Sequence, residues 1–209
     1  MRISWKMIAT MAVLGCWSCL IVHRIVAQSR PALSELVQKL QSEKTTDEAR
    51  KQLLQVGKSD PDVRRYLAAQ LPPMIEIGPK SCPPSDIQDV FERWHVCPWH
   101  NAVELSGKLR IAEAVTALAP WIGWRADGPF SPTLEARLVF HPAAKALAEI
   151  GDPAIPVVQQ ALSNPKDHYR AVRILCIIHT AKAKAVLRDN LQHETDPDLQ
   201  AMIKRVLEK

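Results

Sequence analysis

Apolar residues recur along this chain at helical spacing, and polar turn residues break the pattern at short intervals. Leu33, Leu36, Val37 and Leu40 follow the i, i+3, i+4, i+7 rule near one end, and Leu199, Met202, Ile203 and Val206 follow it near the other. Between these stripes the same spacing predicts helices over about 46–57, 61–71, 102–110, 112–123, 134–150, 153–163, 168–179 and 182–193. The punctuation agrees. Gly57 and Gly151 suit left-handed C-terminal caps. Asp60-Pro61, Asp152-Pro153 and Asp196-Pro197 each place an N-cap acceptor before a proline whose missing N–H costs nothing in a first turn. Alternation of period two is absent and aromatics make up 5% of the chain, so an all-α fold is expected.

The chain also overlays on itself. At an offset of 28–29, Leu147 falls on Leu175 and Leu162 on Leu191. At 40–42, Ala114-Val115 and Leu118 fall on Ala154-Ile155 and Val158, with the excess length taken up around 126–132. A weaker copy runs from Ala49 through Val56-Gly57 to Val63 and Leu67. Periods of this length mark helical-hairpin repeats, each with more apolar surface than it can bury alone. Ala112, Ala114, Ala144, Ala146 and Ala148 let neighbouring helices approach closely.

The run Pro142-Ala143-Ala144-Lys145-Ala146-Leu147-Ala148-Glu149-Ile150-Gly151-Asp152-Pro153-Ala154-Ile155-Pro156 resembles a HEAT-like (armadillo-type) repeat, and Leu105 to Ile122 is similar to the same family. The resemblance extends over about three quarters of the chain after residue 27. It departs where Thr180-Ala181-Lys182 replaces the Gly-Asp-Pro turn, and over 78–100. It implies a right-handed αα-superhelix of about four helix pairs with terminal half-repeats, an extended concave binding surface, and no particular ligand. Some proteins of this kind are similar to bilin lyases, which supplies a tetrapyrrole-linked reading ranked third.

Residues 1–27 stand apart from the repeats. Arg2 and Lys6 precede an apolar run from Met7 to Val22 without an acidic residue, the layout of an export signal. Ile25-Val26-Ala27 offers a cleavage box; an uncleaved tether through 7–22 is the rival, although that run falls short of the about 20 residues of a spanning helix. A lipoprotein signal ending at Cys16 ranks below both, because apolar residues continue beyond it. The expected location is periplasmic or secreted, with or without an inner-membrane anchor. The formal charge of +5 also owes most of its size to this segment, which holds three of the 27 basic residues; 24 remain against 22 acidic ones, and a nucleic-acid partner loses its main support. Lys182, Lys184 and Arg188, like Arg64 and Arg65, read as solvated helix faces.

From 78 to 101 the repeat lapses. Gly78-Pro79, Cys82-Pro83-Pro84 and Cys97-Pro98 bracket a short helical candidate near Asp86 to Trp94, within a repeat domain taken as 28–209. In an oxidising compartment Cys82 and Cys97 are disulfide candidates, worth about 3 kcal/mol at this loop length. Cys82, His95, Cys97 and His100 are the alternative zinc set. Cys176 reads as a core thiol. Trp94, Trp99, Trp121 and Trp124 concentrate in and after the insertion; they either pack it against the repeats or, with Glu92, Asn101, Arg125 and Asp127 at the rim, form a glycan- or peptide-binding surface.

No phosphate loop, Gly-x-Ser-x-Gly elbow, His-Glu-x-x-His or Cys-x-x-Cys occurs. His141, His168, His179 and His193 are scattered at helix ends and turns, and Glu113, Glu135 and Glu149 sit where i, i+4 pairing accounts for them. The expectation is therefore a protein- or peptide-binding scaffold without catalysis or cofactor, with a glycan-binding or zinc-stabilised module centred on the insertion as the runner-up.

Overall fold

The computed structural model describes residues 32–82, 89–128, 131–133 and 137–209. The signal or tether expected over 1–27 lies outside the described residues, as do 83–88 of the insertion and the expected helix start at 134. The described chain is helical throughout and contains no strand. No helix in it is long and apolar enough to cross a membrane.

A first helix, α1, covers 32–40. It is followed by α2 (Thr46–Ser59) and α3 (Pro61–Glu76), then by a short α4 (Val90–His95) within the insertion and by α5 (Pro98–Lys108). Two 3-10 turns flank the single-turn α6 (Val115–Leu118). The array resumes with α7 (Pro142–Ile150), α8 (Ile155–Ala161), α9 (His168–Ile178), α10 (Ala181–Leu191) and α11 (Pro197–Leu207).

The caps explain several of these boundaries. Asp60 accepts from the amides of Asp62 and Val63, and Asp196 from those of Asp198 and Leu199, so both Asp-Pro pairs start helices. Asp152-Pro153 instead opens a 3-10 turn, and α8 begins after it. Gly57 lies inside α2 instead of capping it, the helix expected over 112–123 is a four-residue α6 between two 3-10 turns, and three more expected boundaries need correction. Helix α3 continues through Pro72 and Pro73 to Glu76, well past 71; the two prolines deprive only the Ala68 and Ala69 carbonyls of helical donors. Helix α5 begins at Pro98, not 102, because Cys97 and Pro98 form an N-cap and first turn. Its first turn thus lies within the span 78–101 assigned to the insertion. Helix α7 begins at Pro142, after a turn over 137–140.

Packing is largely between sequence neighbours: α2 on α3, both on α5, α5 on α7, α7 on α9, then α9, α10 and α11 on one another. Buried Leu53, Leu67, Leu71, Leu105, Leu118, Leu147, Ile174, Leu175, Leu187 and Ile203 belong to one continuous core. Helix α7 is central to it, with Ala143, Ala144, Ala146, Leu147 and Ala148 all buried. Its neighbour comes so close that a Cβ on Gly107 of α5 would stand 2.8 Å from the Ala146 Cα. Only glycine permits that approach.

Two polar contacts connect positions that the internal overlays make equivalent. Thr180 Oγ1 donates to Asp152 Oδ1 at 2.6 Å, joining the turn before α10 to the turn before α8. Lys108 Nζ pairs with Glu149 Oε1 at 2.7 Å, joining the end of α5 to the end of α7. The separations are 28 and 41 residues, matching the two sequence offsets.

Candidate binding cleft at the insertion

Helix α4 is tied to its neighbours at its C-terminal end, and a disulfide closes the segment that carries it. A disulfide joins Cys82 and Cys97, whose Cα atoms are 4.5 Å apart. Cys97 Sγ also accepts from the His100 amide at the start of α5. Where α4 ends, the His95 carbonyl accepts from Asn101 Nδ2 at 2.7 Å, and the same amide group donates to Thr46 Oγ1 on α2. Asn101 is fully buried, so one side chain ties α2 and the end of α4 to α5. Arg93 of α4 faces Asp127 at 3.8 Å.

The zinc set does not assemble in this arrangement. Cys82 and Cys97 bond to each other rather than standing as thiolates, and His100 stacks beneath Trp94. Among the described residues no group of three or more His, Cys, Asp or Glu is placed to hold a metal.

The tryptophans separate into two groups. Trp99 is 1% exposed, donates Nε1–H to the Ile75 carbonyl at 3.0 Å, and meets Trp121 and Trp124 edge to face at 6.0 and 4.9 Å. This trio seals the insertion against α3. Gly78 lies against the Trp121 ring with φ of 80°, a place where any side chain would strike the ring. Trp99 is thereby removed from the expected binding surface, because a ring inside the core cannot meet a ligand. Trp94 belongs to the second group, with Phe91, His100 and Phe140 around it. Arg125 lies over the Phe140 ring at 5.1 Å, and Asp127 faces Arg93.

A cleft of about 180 Å³ opens between α4, α5 and α7. Phe91, 45% exposed, and Trp94 line one side; Glu104, Lys145 and Glu149 supply the charge. Trp94 and His100 stack at 5.1 Å with planes 20° apart. Burial of the His100 ring, helped by the charge of Lys145 and by smaller electrostatic contributions from His95 and Arg50, pushes its pKa down to about 3, so the imidazole is neutral at physiological pH. Glu104 is held by Arg50 at 3.2 Å, and the largely buried Arg50 also pairs with Asp47 at 2.7 Å. Glu149 reaches across to Lys108, not along its own helix to Lys145 as i, i+4 spacing suggests.

Of the cleft residues, the sequence reading singled out Trp94 and, in the zinc set, His95 and His100. Phe91, Glu104 and Lys145 escaped it because they reach one cleft from three helices, and no local spacing signals such a meeting. The volume falls below the roughly 300–1,000 Å³ of sites that enclose drug-sized molecules, and suits one or two side chains. Compared with protein-family models, curated proteins and solved structures, the chain matches none.

Proposed function

We propose that this chain is an extracytoplasmic interaction scaffold: a HEAT-like, right-handed superhelical array that binds a protein or peptide partner without catalysis. The cleft between α4, α5 and α7 carries this reading. It puts an exposed aromatic and unevenly matched charges in a recess sized for side chains, on a rigid helical frame. The superhelical arrangement is favoured by the contacts between repeat-equivalent positions, Asp152 with Thr180 and Lys108 with Glu149. Export is favoured by the basic-then-apolar start of the chain together with the Cys82–Cys97 disulfide, a bond that persists in oxidising compartments.

The test is site-specific photo-crosslinking from position 91 in intact cells, with position 169 as control, since Tyr169 is comparably exposed on α9. A discrete protein adduct from position 91, lost when Trp94 is replaced by Ala and absent from position 169, supports the reading. Equal, diffuse labelling from both positions argues against it.

A further inference from the structure

The cleft's charges do not cancel. Glu104 is neutralised by Arg50 and Glu149 by Lys108, two cations that stand outside the cleft lining. Lys145, half-buried on α7, lines the same cleft, and among the described residues no carboxylate lies within ion-pair distance of it. A lysine ammonium is a compact point charge on a flexible stem, able to turn toward an incoming anion with little rearrangement.

Beside this cation is an aromatic wall. Phe91 and Trp94 meet edge to face at 5.1 Å, and Phe91 is 45% exposed. Such a wall rewards an apolar side chain with area removed from water. The neutral His100 beneath Trp94 adds no second positive charge to the recess. We propose that the cleft selects a peptide segment in which a carboxylate side chain neighbours a large apolar one, with the carboxylate on Lys145 and the apolar group against Phe91 and Trp94.

With Glu104 and Glu149 already paired, Lys145 leaves one positive charge in the recess, which matches one carboxylate and only half compensates a phosphate dianion. The inference rests on the peptide-scaffold reading and adds the chemistry that the site selects.

The experiment follows two-dimensional NMR spectra of the full-length, disulfide-bonded chain during titration with four probes. These are acetyl-Ser-Glu-Phe-Ser-amide, the same peptide with Gln for Glu, the same with Ala for Phe, and an oligogalacturonate as an acidic sugar. The Glu-Phe probe is expected to shift the Trp94 indole signal and to bind about fivefold tighter than the Gln probe, the worth of a partly exposed ion pair. Lys145→Ala should equalise the two, and Lys145→Arg should keep the difference. Lys145→Met is a second neutral variant should the alanine form lose its fold.

Equal affinity for the Glu and Gln probes overturns the carboxylate inference and leaves the scaffold standing. Absence of shifts around the cleft with every peptide overturns both. A response to oligogalacturonate alone replaces the peptide with an acidic glycan.

Discussion

Removing the Glu194 carboxylate tests whether the last hairpins are held by one polar clasp. Glu194 is 9% exposed in the loop between α10 and α11, and it accepts four hydrogen bonds. Two come from the backbone amides of Thr195 and Asp196, at 2.9 and 3.0 Å. The others come from Asn190 Nδ2 at 3.3 Å and His168 Nε2 at 2.7 Å. The other ring nitrogen of His168 bonds the Leu162 carbonyl at 2.7 Å, so the clasp connects the end of α8, the start of α9 and the loop before α11. Glu194→Ala strands these donors. Each unmet buried donor costs about 1–3 kcal/mol, and partial access of water to His168 lowers the sum to about 3 kcal/mol. At about 2–4 °C per kcal/mol for a chain of this size, Tm should fall by about 6–12 °C.

The pH dependence follows from the same contacts. Burial opposes a charge on His168, but hydrogen bonds to Glu194 and Leu162, with the charges of Glu194 and Asp196, outweigh it and raise its pKa. Burial opposes the Glu194 charge too, yet bonds from the Asp196 amide, His168 and Asn190 prevail and lower its pKa. A raised histidine stabilises below its unfolded pKa and loses that contribution as pH rises through the folded value. A depressed carboxylate stabilises above its unfolded pKa and loses its contribution as pH falls through the folded value. Both contributions are therefore complete only between about pH 4.5 and 6.5. Thermal unfolding followed by circular dichroism, for the parent and for His168→Ala, Glu194→Ala and the double variant, gives the coupling energy at each pH. It should be about 1–3 kcal/mol near pH 5.5 and smaller at pH 9. A coupling that is zero at pH 5.5, or unchanged to pH 9, refutes the reasoning.

Three further outcomes are expected. Replacing Cys82 and Cys97 together with Ser should lower stability by about 3 kcal/mol in urea titration and broaden the NMR signals of Phe91 and Trp94; unchanged signals would mean that Asn101 and the tryptophan trio hold α4 unaided. Gly107→Ala places a Cβ 2.8 Å from backbone on α7, and urea titration should show a loss of about 1–3 kcal/mol; a loss under 0.5 kcal/mol would contradict the close approach. Arg110 occupies the left-handed C-terminal cap of α5 with φ of 53°, so Arg110→Gly should stabilise by about 0.5–1 kcal/mol, whereas destabilisation would show that the guanidinium has a partner of greater value.

What could be read from the sequence was whatever is written in short spacings. The stripes at 33–40 and 199–206 and the Asp60 and Asp196 caps depend on residues within a turn or two of each other, and they identify helices directly. Two side-chain contacts, Asp152 with Thr180 and Lys108 with Glu149, fall at separations that the offsets of 28–29 and 40–42 also mark. Reading failed where an outside contact overrides a local rule. Two prolines that would end an isolated helix sit within α3, which is anchored on either side of them by the buried Leu71 and Ile75. His168, dismissed as one of several scattered histidines, gains its role from a carboxylate 26 residues away. Asn101 looked like the polar edge of a surface and is instead buried, because α2 and the end of α4 both need its amide group.

The same distinction explains why a site arises beside the insertion. Lys108 at the end of α5 and Glu149 at the end of α7 pair across two packed helices. That pairing takes Glu149 away from Lys145, its own i+4 neighbour, and leaves a half-buried cation in the cleft lining. Beside it the segment 78–101 brings the short α4, tied in by a disulfide and by Asn101, with Phe91 and Trp94 lining the cleft. Neither the array nor the insertion alone would join an unmatched charge to an exposed aromatic. Their junction does, which is why substitutions at Lys145 and Trp94 should alter binding while sparing the core that holds the hairpins together.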